Sequence, residues 1–584
     1  MRICKAKKTI FSLLIAVVIF LMQLTALAGC KKQPERVEIS IGVSESKKSA
    51  VTALVNEFNA LGGAKAVLHV YKTEEEKNYY LSHDNDDCDV YVFDYAASAN
   101  RYKERLAPLD RGGYTNRYMV SVINSLKSSD GHVYVIPADG FYYTQCYNLD
   151  LLGGEVEVPE TLSDFKIFIS RLKNRLDGGV ASSASLGGTD SVLFSLMSVA
   201  YPLFLNTVRG AEALRKLADG TASILDPEYE DDWNEVFVNL QVLYSEKFYS
   251  VSDVDKTAKE GVLRFNDGNA FAIQNSGRVL DADISKDLNV KYTAFVGSEE
   301  RDACFGSLPA FCLSASKDME DDPEIYDAVS DFFDFFALTS SQKLMHETED
   351  WQYISYLKGS AAELPPAYSE LQSKMSEGRF FILDSFYNVF NLCVNEITSF
   401  LKGEYNLEKT MRRIDTRLEE EKHSVETSLT VIENTLAFDA DVSLSQKTPL
   451  GEFLVDTLAK INFVDGVMMP SSALKCSLLK GTLSETELGY VFEDVAVVYA
   501  QLTADDILRI YDDIGATCYP LVNGLQIRDG KVYKSNGKLV SSGEKVYVLV
   551  PLVLYSGIRT TALAGTPVSS NQLLVEYFKS VSQR

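Results

Sequence analysis

The chain has 584 residues, is 46% hydrophobic and 24% charged, and carries a formal net charge of −25 at pH 7. This length exceeds what one compact core accommodates, so several domains are expected. The strong negative charge repels nucleic acid and anionic lipid head groups, which excludes a function based on electrostatic binding to either.

The N-terminus has the pattern of a bacterial secretion signal. Basic residues precede an apolar run that ends in LAGC at residues 27–30. This ending resembles a bacterial lipobox, which implies a signal peptide at 1–29, a diacylglyceryl anchor on the thiol of Cys30, and a lipidated tether at 30–36. An uncleaved transmembrane anchor stays open as the alternative, because the run is nearly long enough to span a bilayer. Both interpretations place the remaining chain on the extracytoplasmic face of a bacterial cell membrane.

Nine cysteines occur in the chain, and no two have the C-x-x-C spacing of a zinc site or redox pair. Most are therefore expected to be buried as small apolar side chains. A disulfide between Cys304 and Cys312 across a hairpin is left open as an alternative.

Strands alternate with helical patterns at the start of the mature chain. Residues 37–43, 66–71 and 89–94 have the composition of strands, and residues 49–61 have a helical pattern that ends at a Gly-Gly pair. This alternation predicts the α/β class, with a mostly parallel sheet covered by helices.

The next segments follow a recognisable order of motifs. Residues 130–137 (DGHVYVIP), 142–152 (YYTQCYNLDLL) and 158–165 (VPETLSDF) match "GK-x-Y-x-hP", "YYN-x-x-hF" and "PxTWxEhh", with Leu162 in place of the Trp. Together with further motifs at 263–273, 305–317 and 327–342, they make the region 37–422 resemble the family 1 extracellular solute-binding proteins of ABC importers. The resemblance implies a two-lobed, periplasmic-binding-protein-like α/β domain with a small-molecule solute and an ABC permease as partners.

The resemblance places the ligand site in the cleft between the lobes, where loops at the carboxyl ends of strands converge. Aromatic rings combined with hydroxyl and carboxylate groups suit a sugar or oligosaccharide, because its C–H faces stack on rings while polar groups fix its orientation. An ordinary core or loop position is the alternative for each candidate. The candidates are Ser44, Glu45, Asp94, Tyr95, Asp139, Tyr142, Asn275 and Ser276.

A second unit is expected after a charged helical stretch at 411–422 and a polar linker at 423–439. Segments at 448–458 (TPLGEFLVDTL), 479–488 (LKGTLSETEL) and 547–557 (YVLVPLVLYSG) resemble the 5′-nucleotidase C-terminal domain. The resemblance implies a smaller α/β domain over 440–584.

The nucleoside-recognition motifs of that family are incomplete in this chain. Lys475 stands where the family has an Arg, Phe492 matches the aromatic residue that stacks on the base, and Tyr555 is what remains of a closing glycine-rich motif. The resemblance therefore implies either a degenerate nucleoside pocket or a packing or interaction domain. The five histidines are scattered and no metallophosphatase motif precedes this unit, so no catalytic residues, metal or cofactor are expected.

These observations predict a membrane-anchored solute-binding lipoprotein that works with an ABC importer, attaches to the membrane through its lipid, binds no nucleic acid and is not an enzyme. Two alternatives stay open. The first is a surface interaction or sensory lipoprotein with degenerate ligand sites, and the second is a nucleotide-binding or hydrolase-associated subunit.

Overall fold

The computed structural model describes residues 36–83, 88–110, 112–128, 130–153, 156–177, 181–184, 188–276, 284–296, 303–345, 353–359, 368–426, 428–461, 464–556 and 566–582. The predicted signal peptide and Cys30 lie outside the described residues, so the lipid anchor stays a prediction.

The strands, in chain order, are β1 (Glu38–Ser44), β2 (Lys65–Tyr71), β3 (Val90–Phe93), β4 (Ile136–Pro137), β5 (Gly140–Asn148), β6 (Ala181–Ala184), β7 (Ala270–Ser276), β8 (Val290–Thr293), β9 (Phe305–Pro309), β10 (Cys312–Ala315), β11 (Phe380–Ile382), β12 (Ser428–Ile432), β13 (Gly466–Pro470), β14 (Gly481–Ser484), β15 (Ala496–Leu502), β16 (Pro520–Asn523), β17 (Leu525–Arg528), β18 (Lys531–Lys534), β19 (Val546–Pro551) and β20 (Val568–Ser569).

The α-helices are α1 (Lys48–Ala60), α2 (Glu74–Ser82), α3 (Ala96–Asn100), α4 (Val120–Ser125), α5 (Leu149–Leu152), α6 (Leu162–Asp177), α7 (Gly188–Ala200), α8 (Val208–Ala218), α9 (Glu230–Ser245), α10 (Ala258–Asn266), α11 (Pro323–Phe336), α12 (Thr339–Leu344), α13 (Ser369–Ser376), α14 (Asp384–Phe390), α15 (Val394–Leu401), α16 (Leu407–Glu426), α17 (Ala440–Ser443), α18 (Pro449–Ile461), α19 (Glu485–Val491), α20 (Ala504–Gly515), α21 (Leu552–Tyr555) and α22 (Ser570–Ser582).

Lobe 1 is built on a sheet with the strand order β2-β1-β3-β10-β4. Strand β1 pairs in parallel with β2 and β3, whereas β10 runs antiparallel to β3 and β4. Ile39, Ile41 and Val43 of β1 are fully buried, and α1 packs against α11 through a perpendicular contact of Phe58 with Phe332. The parallel strands expected near the start of the chain are therefore present, and helices cover their sheet.

Lobe 2 is built on a sheet with the order β11-β9-β5-β7-β6, and β8 pairs with β5. Strand β5 is buried along its whole length at the centre of this sheet. The segment Gly188–Leu205, which joins α7 to a π-helical turn, is long and apolar enough to cross a membrane, but 72% of it is buried inside the protein. It packs against α9 as a core helix of lobe 2. The chain passes from one lobe to the other three times, between β4 and β5, between β9 and β10, and between β10 and β11.

The second unit, residues 428–582, contains a sheet with the order β16-β13-β19-β15-β20. Side chains alternate across β13, so Val467 and Met469 belong to one apolar core and Met468 to the other, on the opposite face. Strand β12 pairs with β14 and lies within the stretch 423–439 that the sequence analysis interprets as a linker. The compact part of this unit therefore begins at 428 rather than at 440.

The second unit packs directly on α2 of lobe 1. Tyr79 of α2 is 1% exposed and belongs to an apolar core of the second unit. Its hydroxyl oxygen accepts a hydrogen bond from Leu479 N at 2.8 Å, and Nε2 of His83 lies 2.9 Å from Thr482 O. The two units thus share part of a core rather than being joined only by a flexible connection.

Candidate functional site

The first candidates lie at the end of β1. The buried Ser44 has its Oγ 3.0 Å from Ser46 Oγ, and Glu45 is exposed and pairs with Lys48 at 3.0 Å. Both contacts are local to the turn between β1 and α1 of lobe 1.

Asp94, at the end of β3, lies near the passage between the lobes. Its Oδ1 is 3.1 Å from Nζ of Lys47, and the same ammonium donates to Ala310 O at 2.9 Å. Ala310 connects β9 of lobe 2 to β10 of lobe 1. Lys47 was not among the candidates, although a cation shortly after the first strand is a natural partner for a carboxylate after the third.

Tyr95 meets lobe 2 through Tyr387 of α14, with the ring centroids 6.5 Å apart and the planes inclined by 26°. The hydroxyl oxygen of Tyr387 lies 3.0 Å from that of Tyr143 and 3.1 Å from Asp190 Oδ1. Burial raises the pKa of Tyr387 far above its ordinary value, so it stays a neutral hydrogen-bonding group. Tyr387 and Asp190 lie in no sequence motif, and Tyr143 is part of the motif at 142–152 but was not among the candidates.

Tyr142 points away from this junction because neighbouring residues of a strand face opposite sides of the sheet. It is fully buried, and its hydroxyl donates to Tyr368 at 2.6 Å. Asp139, in the passage between β4 and β5, is 6% exposed and its carbonyl accepts a hydrogen bond from Ala310 N. Tyr142 therefore has no free ring face on which a sugar could stack.

Asn275 and Ser276 end β7 and are buried in lobe 2. Nδ2 of Asn275 donates to Thr144 Oγ1 at 3.3 Å, and its Oδ1 accepts no hydrogen bond from the described residues. Ser276 lies opposite Tyr143 in the register of β7 and β5. This places Ser276 next to the group formed by Tyr143 and Tyr387.

A buried carboxylate joins the two lobes. Asp384, at the start of α14, is 2% exposed and accepts hydrogen bonds from Ala96 N at 2.7 Å and Ala97 N at 2.8 Å, both in the first turn of α3. Burial raises the pKa of Asp384 to about 6, and the two amide donors only partly offset this effect. No sequence motif marked this residue.

A cavity of about 770 Å³ lies between the lobes. Lobe 1 lines it with residues of α3 and the following loop, and lobe 2 with the end of α8, with α14 and with α16. Its described lining contains charged, amide and hydroxyl side chains: Asn100, Arg101, Lys103, Ser128, Asp219, Thr221, Ser223, Asp226, Asn388, Asp415, Glu419, Glu421 and Lys422. None of the eight sequence-based candidates is among the described lining residues.

The three candidates in the second unit do not form one pocket. Phe492 is buried and stacks on Phe453 at 6.3 Å, and Tyr555 belongs to the core on the opposite face of the sheet. Lys475 donates to Gly489 O at 3.0 Å and lines a groove of about 540 Å³ between lobe 1 and the second unit.

The described cysteines are free. Cys304 and Cys312 are both buried, and burial raises the pKa of the Cys304 thiol to about 12. The hairpin disulfide left open by the sequence is therefore absent. In the part of the chain that the structure describes, no three His, Cys, Asp or Glu side chains converge as metal ligands.

No protein-family model matches the chain, and no curated protein sequence matches it significantly. Solved structures do match. A family 1 extracellular solute-binding protein from Bifidobacterium longum subsp. infantis is 12% identical, with a TM-score of 0.55 over 66% of this chain and 99% of that chain. MsmE of Bacillus subtilis subsp. subtilis str. 168, in an open conformation, is 18% identical, with a TM-score of 0.53 over 67% of this chain and 99% of that chain.

A third match is the bacterial solute receptor AcbH, described as having an exclusive preference for β-D-galactopyranose. It is 14% identical, with a TM-score of 0.53 over 67% of this chain and 100% of that chain. At these identities the likeness establishes the fold alone. Over about two thirds of its length the chain has the periplasmic-binding-protein-like α/β fold of extracellular solute-binding proteins.

Proposed function

We propose that the protein is a solute-binding lipoprotein that captures a small solute, with a sugar or oligosaccharide as the expected class, for an ABC importer. The observation that carries this proposal is the cavity of about 770 Å³ between the two lobes. Its volume falls within the range of about 300–1,000 Å³ that is typical of ligand sites. Proteins with this fold include the galactopyranose receptor AcbH.

Attachment to the extracytoplasmic face of the membrane is the second part of the proposal. It is supported by the LAGC sequence that ends at Cys30. A protein with a net charge of −25 gains nothing from electrostatic contact with anionic lipid, so the anchor has to supply the attachment.

The second unit is proposed to be a non-catalytic relative of the 5′-nucleotidase C-terminal domain. The burial of Phe492 and Tyr555 in separate cores favours a packing role over nucleoside binding. Its shared core with α2 favours a fixed position on lobe 1.

Ligand-dependent stabilisation tests the solute-binding role. A ligand at a hundred times its Kd adds about 2.7 kcal/mol to the free energy of unfolding, so melting curves with mono- and oligosaccharides should show a rise in Tm for at least one of them. Asn388→Ala in the cavity wall should abolish most of that rise, and Asn269→Ala on the surface of lobe 2 should retain it. A screen in which no small solute raises the Tm would contradict the proposal.

A further inference from the structure

The two walls of the interlobe cavity differ in charge. Among the described lining residues, the charged ones of lobe 1 are both cations, Arg101 and Lys103, whereas lobe 2 contributes five carboxylates and one cation, Lys422. Three of these carboxylates, Asp219, Asp226 and Asp415, have no cationic partner among the described ion pairs. The lobe 2 wall therefore carries negative charge that its own contacts do not compensate.

The cations of lobe 1 are already engaged. Nζ of Lys103 lies 3.6 Å from Asp130, which is outside the lining, and Arg101 lies 3.7 Å from Glu421 across the cavity. On lobe 2, Asp415 accepts a hydrogen bond from the Ser223 hydroxyl. This bond leaves the negative charge of Asp415 in place.

The lining also lacks the groups that hold neutral sugars by stacking. No Trp, Tyr or Phe is present among the described residues that line the cavity. Tyr95, Tyr143 and Tyr387 instead contact one another at the junction of the lobes. In contrast, Oδ1 of Asn100, another lining residue, is buried and accepts no hydrogen bond from the described residues. The described lining thus offers an unsatisfied acceptor and aliphatic side chains, such as those of Leu217, Leu392 and Leu418, but no aromatic ring.

We infer that the cavity selects a solute that carries protonated amino groups as well as hydroxyl groups, such as an amino sugar or a short oligomer of one. This inference rests on the proposed solute-binding role and specifies the solute for the same cavity. Closure around a neutral solute would remove Asp219, Asp226 and Asp415 from water without compensation, which is costly for a carboxylate. An ammonium group compensates that charge and donates to the carboxylates through charge-assisted hydrogen bonds.

Three trimers of equal length test the inference: the trimer of glucosamine, the trimer of N-acetylglucosamine, and maltotriose. Calorimetric titration of the full-length protein at about pH 6, where sugar amines are protonated, should give at least about tenfold tighter binding of the glucosamine trimer than of either neutral trimer. Raising the ionic strength from about 0.05 to 0.5 M should weaken that binding, because salt screens the charges.

Charge-removing variants keep the shape of the cavity. Asp415→Asn and Asp226→Asn should each weaken the glucosamine trimer severalfold and leave any affinity for neutral trimers unchanged, while Glu235→Gln on the surface of lobe 2 should affect neither. Circular dichroism and the Tm of each variant check that it is folded.

The possible failures are distinguishable. Equal or tighter binding of a neutral trimer in the cavity would overturn the inference and leave the proposed function standing. If no trimer binds, the inference falls, and the melting curves with other mono- and oligosaccharides decide the proposed function separately.

Discussion

At the scale of single residues, Asp384 is a carboxylate whose pKa is raised by burial. It lies buried between the lobes. Its electrostatic neighbours include Tyr201, Cys312 and Tyr356, whose pKa values are raised by burial. Among the described residues, the amides of Ala96 and Ala97 donate hydrogen bonds to Asp384.

This environment makes stability depend on pH. The pKa of Asp384 is raised from 3.8 to about 6 in the folded protein, so the folded state holds the proton more tightly than the unfolded state. Its contribution to stability is fully present below about pH 4 and is lost as the pH rises through about 6. At about 1.4 kcal/mol for each pKa unit, the loss is about 3 kcal/mol.

The isosteric variant Asp384→Asn should therefore gain stability relative to the wild type as the pH rises from 4 to 7. Urea unfolding at several pH values measures this difference, and Asp505→Asn, which changes an exposed carboxylate, should show no such trend. A difference between Asp384→Asn and the wild type that is constant over this pH range would contradict the assignment.

Cys30 is the residue on which the predicted lipid attachment and signal-peptide cleavage depend. Only a thiol at this position can accept the diacylglyceryl group, so Cys30→Ala should accumulate as an uncleaved precursor without a lipid label. Labelling with a radioactive fatty acid, followed by electrophoresis, measures both effects. Cys4→Ala, which changes a cysteine within the predicted signal peptide, should be processed and labelled normally. Normal labelling of Cys30→Ala would show that the lipobox interpretation is wrong.

The sequence does not show toward which side of its strand each side chain near the cleft points, and this limited the prediction of individual site residues. The sequence marks the Tyr142-Tyr143 pair but does not say which ring faces the junction, because that depends on which face of β5 lobe 2 covers. The structure turns Tyr142 into the core beside Tyr368 and Tyr143 toward Tyr387. Asp384 and Tyr387 reach the junction through contacts that span almost 300 residues of sequence, and no local pattern reports such a contact.

At the scale of elements, local sequence patterns predicted the strands of lobe 1 better than they predicted single site residues. The strand near residue 40 and the strand near residue 68 alternate in polarity, and both are present with parallel pairing. The prediction of a linker at 423–439 was less accurate. Strand β12 (SLTVI) lies within it, and this strand is too short to be recognised from its sequence beside the charged helix that precedes it. Its pairing with β14, about fifty residues later, defines it as a strand.

The packing of α2 on the second unit predicts a large effect of Tyr79. Tyr79→Ala removes a buried ring from that core and should lower the free energy of unfolding by about 3–5 kcal/mol, as buried aromatic truncations do. Tyr79→Phe leaves Leu479 N without its 2.8 Å partner and should cost about 1–3 kcal/mol.

Denaturant unfolding of the full-length protein measures both changes. Tyr326→Phe, at a side chain that is 41% exposed on α11, is the matched control and should be close to neutral. A neutral Tyr79→Ala would mean that α2 and the second unit are not packed together in solution.

At the scale of the whole molecule, the second unit touches both lobes. It packs on lobe 1 through α2, and it contacts α16, which itself packs on α9 and α15 of lobe 2. Glu421 of α16 also lies 3.7 Å from Arg101 of lobe 1. Any opening of the cavity therefore changes at least one contact near the second unit, even though that unit contributes no described lining residue to the cavity.

Every described residue that lines the interlobe cavity lies between Ala97 and Lys422. Solute binding should therefore survive removal of residues 428–584, with a Kd within about threefold of that of the full chain.

The truncation exposes Tyr79 and Tyr80 of α2, which are covered by the second unit, so the fragment should be less soluble. The substitution Tyr79→Gln in the fragment should restore solubility without changing the Kd, because Tyr79 does not line the cavity. Calorimetric titration of the fragment, with and without this substitution, measures the Kd, and small-angle scattering with and without the solute should show compaction from lobe closure. A fragment that melts cooperatively but no longer binds would show that the second unit is required to hold the lobes in a binding-competent arrangement.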